Sequence, residues 1–230
     1  MNEPDLLTPS EVLDQVAHAL PENLRANVII VGSLAAGYHF FAGDGAAAIR
    51  TKDIDCLFSP HAKAVAAAVG VTEQLLKAQW TPRQDAKWGE PGKPGQAVED
   101  LPMVRLKPPT GRENPGHWYL ELLSAPPEYE PGAAAKKLQR VQTTIGDFAI
   151  CSFDFLALAE CEPLPTKSGV RIARPEMMAL ANMLHHPAIG DALIADTDYR
   201  RSNKDLGRVL VLAHRGEIDR KSTRLNSSHT

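Results

Sequence analysis

With 230 residues the chain has room for one large domain, or for a core domain with a helical appendage. Its 43% hydrophobic and 23% charged residues are those of an ordinary soluble globular protein, and no apolar run is long enough to cross a bilayer. The formal net charge of −3 excludes the general basic field that non-specific nucleic-acid binding needs. The acidic N-terminus lacks a signal-peptide pattern. Three cysteines, Cys56, Cys151 and Cys161, have no metal-ligand spacing and read as reduced thiols of a cytoplasmic protein.

In chain order, Ser10 to Ala19 reads as a helix with a serine N-cap, closed by Pro21. Ala26 to Val31 is a short β-branched run and reads as a buried strand. Gly32 ends it, and Ser33 opens a helix as its N-cap. Ile54 to Phe58 is a second strand, stopped by Ser59-Pro60, and the alanine-rich segment from His61 to Gln79 is helical. Trp80 to Pro102, rich in Gly, Pro and charge, reads as a long loop or loose hairpin beside the site. Met103 to Lys107 and Trp118 to Leu123 are paired strands. Gln142 to Cys151 reads as a short hairpin, Phe153 to Glu160 as a helix and Val170 to Ile172 as a strand. A helix enters through Pro175, and a last one runs from Tyr199 to His214 with Leu206, Val209, Leu210 and Ala213 on one stripe. The basic clusters Lys136, Lys137, Arg140 and Arg200, Arg201, Lys204, Arg208 read as solvated faces.

The chemistry concentrates early. In a strand, residues two apart share a face, so Asp53 and Asp55 of RTKDIDCLF project side by side. Two such carboxylates repel unless a cation lies between them, and oxygen-only ligands suit Mg²⁺ (or Mn²⁺), whose shell is completed by substrate phosphates. A helix N-terminus at Gly32-Ser33 presents free N–H groups to phosphate, and Gly32 lets the backbone approach. Strand, Gly-Ser, helix, then a strand with Asp-x-Asp is a pattern for a nucleoside triphosphate and its metal. No phosphate loop of the G-x-x-x-x-G-K-[ST] type is present. His39, His117, His185 and His186 form no metal-spaced cluster with the cysteines.

Gly32-Ser33 followed by Asp53-Ile54-Asp55 resembles the signature of the polymerase-β-like nucleotidyltransferase superfamily, whose members move a nucleotidyl group from an NTP to an acceptor and release pyrophosphate. The resemblance implies an α/β (α+β) nucleotidyltransferase fold: a mixed twisted sheet flanked by helices, followed by a mostly helical C-terminal part. It also implies a third metal-binding carboxylate on a later, adjacent strand. Glu121, within His117 to Ser124, is the candidate, where the family more often has Asp. The twenty-position gap from Ser33 to Asp53 is longer than usual, with Ala42 to Arg50 as a loop insertion. Asp53, Asp55 and Glu121 are thus the expected catalytic and metal-binding residues. Gly32 and Ser33 are the expected phosphate cradle, and Arg50 and Lys52 flank it. Further on, RIARPEMMALANML and RRSNKDLGRVLVL are similar to the C-terminal part of nucleotidyltransferases related to bacterial abortive-infection toxins of the type IV toxin–antitoxin class. Lys204-Asp205 matches that family's Lys-Asp pair and implies a triphosphate contact, while Asn182 departs from its lysine. An antitoxin partner is implied in the same way.

The expected organisation is a core domain over 1–128, a mainly helical domain over 129–218 and a non-native tail over 219–230. The tail follows from Asp219 to His229, which resembles the translated read-through of a short-read sequencing adapter; native sequence after Ile218 is then expected to be missing. The acceptor stays open between an RNA end, a protein and a small molecule. Glu128 and Glu130 hint at a cationic drug, as in antibiotic-modifying enzymes of this fold. A non-catalytic nucleotide- or partner-binding protein is the other alternative.

Overall fold

The computed structural model describes residues 8–42, 53–84, 90–109, 118–126, 137–189, 193, 198–200, 202–203 and 206–216. Four expected site residues, Arg50, Lys52, Lys204 and Asp205, lie outside them, as do Glu128, Glu130 and the tail from Asp219.

Helix α1 (Pro9–Ala19) is capped two residues earlier than its serine suggests. Thr8 is the N-cap, and its hydroxyl and the Glu11 carboxylate close a reciprocal capping box, with proline at the first helical position. A short α2 (Glu22–Arg25) leads into β1 (Val28–Val31), α3 (Gly32–Phe41) and β2 (Asp53–Phe58). Helix α4 (His61–Lys77) is continuous, and β3 (Thr81–Pro82), β4 (Arg105–Lys107) and β5 (Tyr119–Ser124) follow. Strands β6 (Lys137–Thr143) and β7 (Gly146–Ser152) make a hairpin that begins five residues earlier than the sequence pattern suggested. Asp154–Glu160 winds as a 3-10 helix rather than an α-helix. The short strands β8 (Leu164–Pro165) and β9 (Arg171–Ile172) precede α5 (Pro175–Ile189), and a last helix covers 206–216.

The fold is mixed α/β, with one open sheet in the order β3-β4-β5-β2-β1-β9-β8, while β7 joins β5 and carries β6. Pairing is mixed: β2–β5, β5–β7 and β1–β9 are parallel, and the remaining pairs are antiparallel. Residues 137–172 therefore add four strands to the same sheet, where a mainly helical segment was expected from 129. Their alternation is what seats them, since Val141, Phe148 and Ile150 enter the core.

Both sheet faces are covered. On one, Val28, Ile30, Ile54, Cys56, Phe58, Leu120 and Leu122 pack under α1, α3 and α4. On the other, Ile29, Val31, Leu57 and Leu123 meet the 3-10 helix and Met178 of α5. Double coverage explains why β1 is apolar without alternation. Along the stripe of the last helix, Leu206 and Leu210 are exposed, Leu210 at 70%. Among the described residues no helix is long and apolar enough to cross a membrane.

Candidate active site

The site grows from one strand. Alternation along β2 sends Ile54, Cys56 and Phe58 into the first core layer. Asp53 and Asp55 are left in line with Leu57 on the second face. Leu57 is buried under the 3-10 helix, and the two aspartates are half-buried further along the strand. Strand β5 lies parallel alongside, with Asp53 opposite Tyr119 and Asp55 opposite Glu121. Strand β4 continues across, with Arg105 opposite Glu121. Arg83 extends the row, its N–H donating to the Arg105 carbonyl at 2.8 Å. One face thus carries a row of four charged side chains, Asp55, Glu121, Arg105 and Arg83, from the sheet's middle to its β3 edge.

The N-terminus of α3 meets this row. Gly32 is its first residue, with φ +72°, and Val31 is the N-cap; Ser33 is the second helical residue, exposed, and not the cap. A Cβ on Gly32 would lie 2.8 Å from Asp55 Oδ2. The glycine therefore serves twice, in a backbone conformation that side chains resist and in a close approach to a carboxylate. Gly32 and Asp55 are thus neighbours at this end of β2. The first N–H groups of α3 open beside Asp55.

Glu121 is buried, at 7% exposure. Both of its oxygens are taken by the Arg105 guanidinium: Nε donates to Oε2 at 2.9 Å and Nη2 to Oε1 at 3.0 Å. Such a fork-to-fork pair is directional as well as strong. The same Arg105 stands 5.9 Å from the Tyr119 ring centroid, and Arg83 stacks over that ring at 4.2 Å. Burial raises the Tyr119 hydroxyl above its usual pKa, and the charge of Asp53 adds to it.

Asp55 feels the whole arrangement. Burial first, then the charges of Glu121 and Asp53, raise its carboxyl to a pKa of about 7, against the pull of Arg208 and Arg105. Arg208 belongs to the last helix, 206–216, so the far end of the chain contributes charge to a site built from residues 32 to 121. Burial is the larger cause, and the neighbouring acids add to it.

The residues fit Mg²⁺ in one way and not in another. Asp53 and Asp55 on one strand face match its habit of binding through one or two carboxylates and taking the rest from water and phosphate. A closed cage is not built: among the described residues no group of three His, Cys, Asp or Glu side chains is arranged to hold a metal ion. Glu121 is turned to Arg105 instead.

Sequence reasoning passed over Arg105, Tyr119 and Arg83, and counted Arg208 and Arg140 as solvated. A positional signal existed for Arg105: it sits in RLK of a strand expected to pair with Glu121's strand, where an opposite charge is favoured. Arg140 is also no solvent-facing base; it pairs with Asp147 and donates to the Gln96 carbonyl. No protein-family model, no curated protein and no solved structure matches this chain, so what the site can do is read from its own residues.

Proposed function

We propose that this chain transfers a nucleotidyl group from a nucleoside triphosphate to an acceptor hydroxyl. The acceptor oxygen bonds to the α-phosphorus, the bond from that phosphorus to the bridging oxygen breaks, pyrophosphate leaves and the acceptor's proton passes to water. The observation that supports this reading is the approach of Asp55, which shares a strand face with Asp53, to the first residue of α3, where a Cβ on Gly32 would lie 2.8 Å from Asp55 Oδ2.

Asp53 and Asp55 would hold the divalent cation, which when bound neutralises triphosphate charge and stabilises attacking and leaving oxygens. The N–H groups at Gly32 and Ser33 would bind phosphate oxygens, and the exposed Ser33 hydroxyl would add a donor. Arg208, already within electrostatic reach of Asp55, supplies positive charge on the side of the last helix. Lys204-Asp205, outside the described residues, would join them as the resemblance implies. Cys56 and Cys151 are buried thiols, in keeping with a reducing cytoplasm. An RNA end or a protein side chain is the acceptor class in keeping with the toxin resemblance, and an antitoxin would be its partner.

The test is Mg²⁺-dependent label transfer from each of the four α-labelled NTPs into total RNA and cell extract. Transfer by the wild type that disappears in Asp53→Ala/Asp55→Ala establishes the enzyme and names nucleotide and acceptor. One observation favours a second reading, a nucleotide-binding protein without catalysis: Arg105 occupies both oxygens of the third carboxylate. NTP binding with no transfer to any acceptor would select it.

A further inference from the structure

The C-terminal helices carry apolar surface that the sheet does not use. Among the described residues, every exposed large apolar side chain except Ile145 lies between Leu180 and Val211. Apolar exposure gathered in this way marks an interaction surface. Two helices share it. Helix α5 turns Met178 and Ala181 toward the core, and its outer face carries Glu176, Leu180, Met183 and Leu184. The last helix, 206–216, half-buries Arg208, Val209 and Leu212, and its outer face carries Leu206, Gly207, Leu210 and His214. Both helices border α3: α5 packs beside it, and Arg215 stacks over its Phe41 ring at 5.1 Å.

The two outer faces match in period and length. Glu176, Leu180 and Leu184 are spaced by four, as are Leu206, Leu210 and His214, so each set is one stripe of two turns, about 12 Å long. Laid antiparallel, the stripes put Leu180 against Leu210 and Leu184 against Leu206. Glu176 then meets His214, with Arg215 next to it, and Met183 falls on Gly207, whose Cβ position has nothing within 4 Å. Laid parallel, they would set Glu176 against Leu206 and Leu184 against His214. Charge chooses between the two: 206–216 holds no acid, and the Glu176 carboxylate is 60% exposed, with a 3.5 Å contact to Arg174 of its own chain. Within one chain both stripes point outward. A surface with two matching stripes is complementary to itself across a two-fold axis, where every contact occurs twice. We infer that this face docks a second copy of the chain, α5 of each copy lying antiparallel to the last helix of the other.

Sedimentation equilibrium of the full chain, from about 1 to about 100 µM, is the test. The expected species is a dimer of twice the 25.0 kDa chain mass, dissociating in the micromolar range. Leu210→Glu sets a charge against Leu180 and weakens association about 100-fold or more, and Leu184→Glu on the other helix does the same. Both leucines are exposed, so circular dichroism should show an unchanged fold. Glu176→Lys weakens association roughly three- to tenfold at low salt, and Glu176→Lys/His214→Glu recovers most of that loss, because the pair is only reversed. A wild type that stays monomeric at the highest concentration overturns the inference. A dimer that survives Leu210→Glu or Leu184→Glu overturns it too, since its interface lies elsewhere. So does a reversed pair no stronger than Glu176→Lys alone, because the loss then came from Arg174 within the chain.

Discussion

Two arginine–carboxylate pairs are set into the same sheet, and their surroundings differ. Arg140 of β6 pairs with Asp147 of β7 across the hairpin, and the same guanidinium donates to the Gln96 carbonyl. Gly92 and Asp147 exchange backbone hydrogen bonds at 2.8 Å, so the pair clamps the 90–100 segment onto the hairpin. Every charge there is answered locally. Arg105–Glu121 is equally well formed, yet it adjoins Asp53 and Asp55, and the carboxyl of Asp55 is pushed up by burial first and then by the acids around it. A buried ion pair is therefore no mark of function. The mark is the surplus of like charge beside it, which costs stability and persists where a ligand relieves it.

The comparison can be broken or sharpened by substitution. The largest effect is expected at the surplus: Asp55→Ala should lower nucleotidyl transfer by about 10³-fold or more, since a bound cation supplies several kcal/mol at the transition state. Steady-state label transfer measures it, and a loss under tenfold would place the chemistry elsewhere. The clamp should behave oppositely. Arg140→Ala leaves Asp147 buried without its partner, so chemical denaturation should show about 3–5 kcal/mol of lost stability. Mn²⁺ affinity should not move. If Arg140→Ala shifts Mn²⁺ binding as well, the two pairs are coupled and the contrast fails.

Gly32→Ala tests the joint between helix and acid. The new Cβ meets Asp55 Oδ2 at 2.8 Å in a backbone with φ +72°. A stability loss of about 1–2 kcal/mol is expected from the backbone alone, together with weaker Mn²⁺ binding as Asp55 is displaced. Unchanged binding would free Asp55 from that contact.

The gentlest probe is pH. The folded pKa of Asp55, about 7, lies above its ordinary value of 3.8. The folded chain thus binds a proton that the unfolded chain has released, and the stabilising contribution fades as pH rises from 3.8 through 7. In EDTA, wild-type unfolding free energy should fall toward neutral pH relative to Asp55→Asn, with a slope of at most about 1.4 kcal/mol per pH unit from this group. Parallel curves for the two proteins would mean that Asp55 carries no such strain.

Much of the local framework was legible from residue order. The β-branched run at Val28 to Val31, the glycine that ends it, the shared face of Asp53 and Asp55 and the proline-entered helix at Pro175 follow from periodicities of two and 3.6 and from single-residue backbone preferences. Thr8 displaced the expected Ser10 cap because a capping box needs Glu three positions on, and Glu11 stands there for Thr8. The hairpin was underestimated because Lys137 to Arg140 reads as a polar run, while in place Leu138 packs on the second core layer and Arg140 is consumed by Asp147.

Sequence by itself determined which residues carry acid, which glycine can turn left-handed and which strand holds two carboxylates on one face, because those properties live within a few consecutive residues. Only the tertiary structure decided what each acid meets. Glu121 is sixteen residues from Arg105 and further still from Asp55, and one step of register would have sent its side chain to the opposite face. Arg208 reaches the electrostatics of Asp55 from the last helix across more than 150 residues of chain. Strand pairing sets such meetings, and pairing is chosen by the burial of whole faces, which no local window of residues contains.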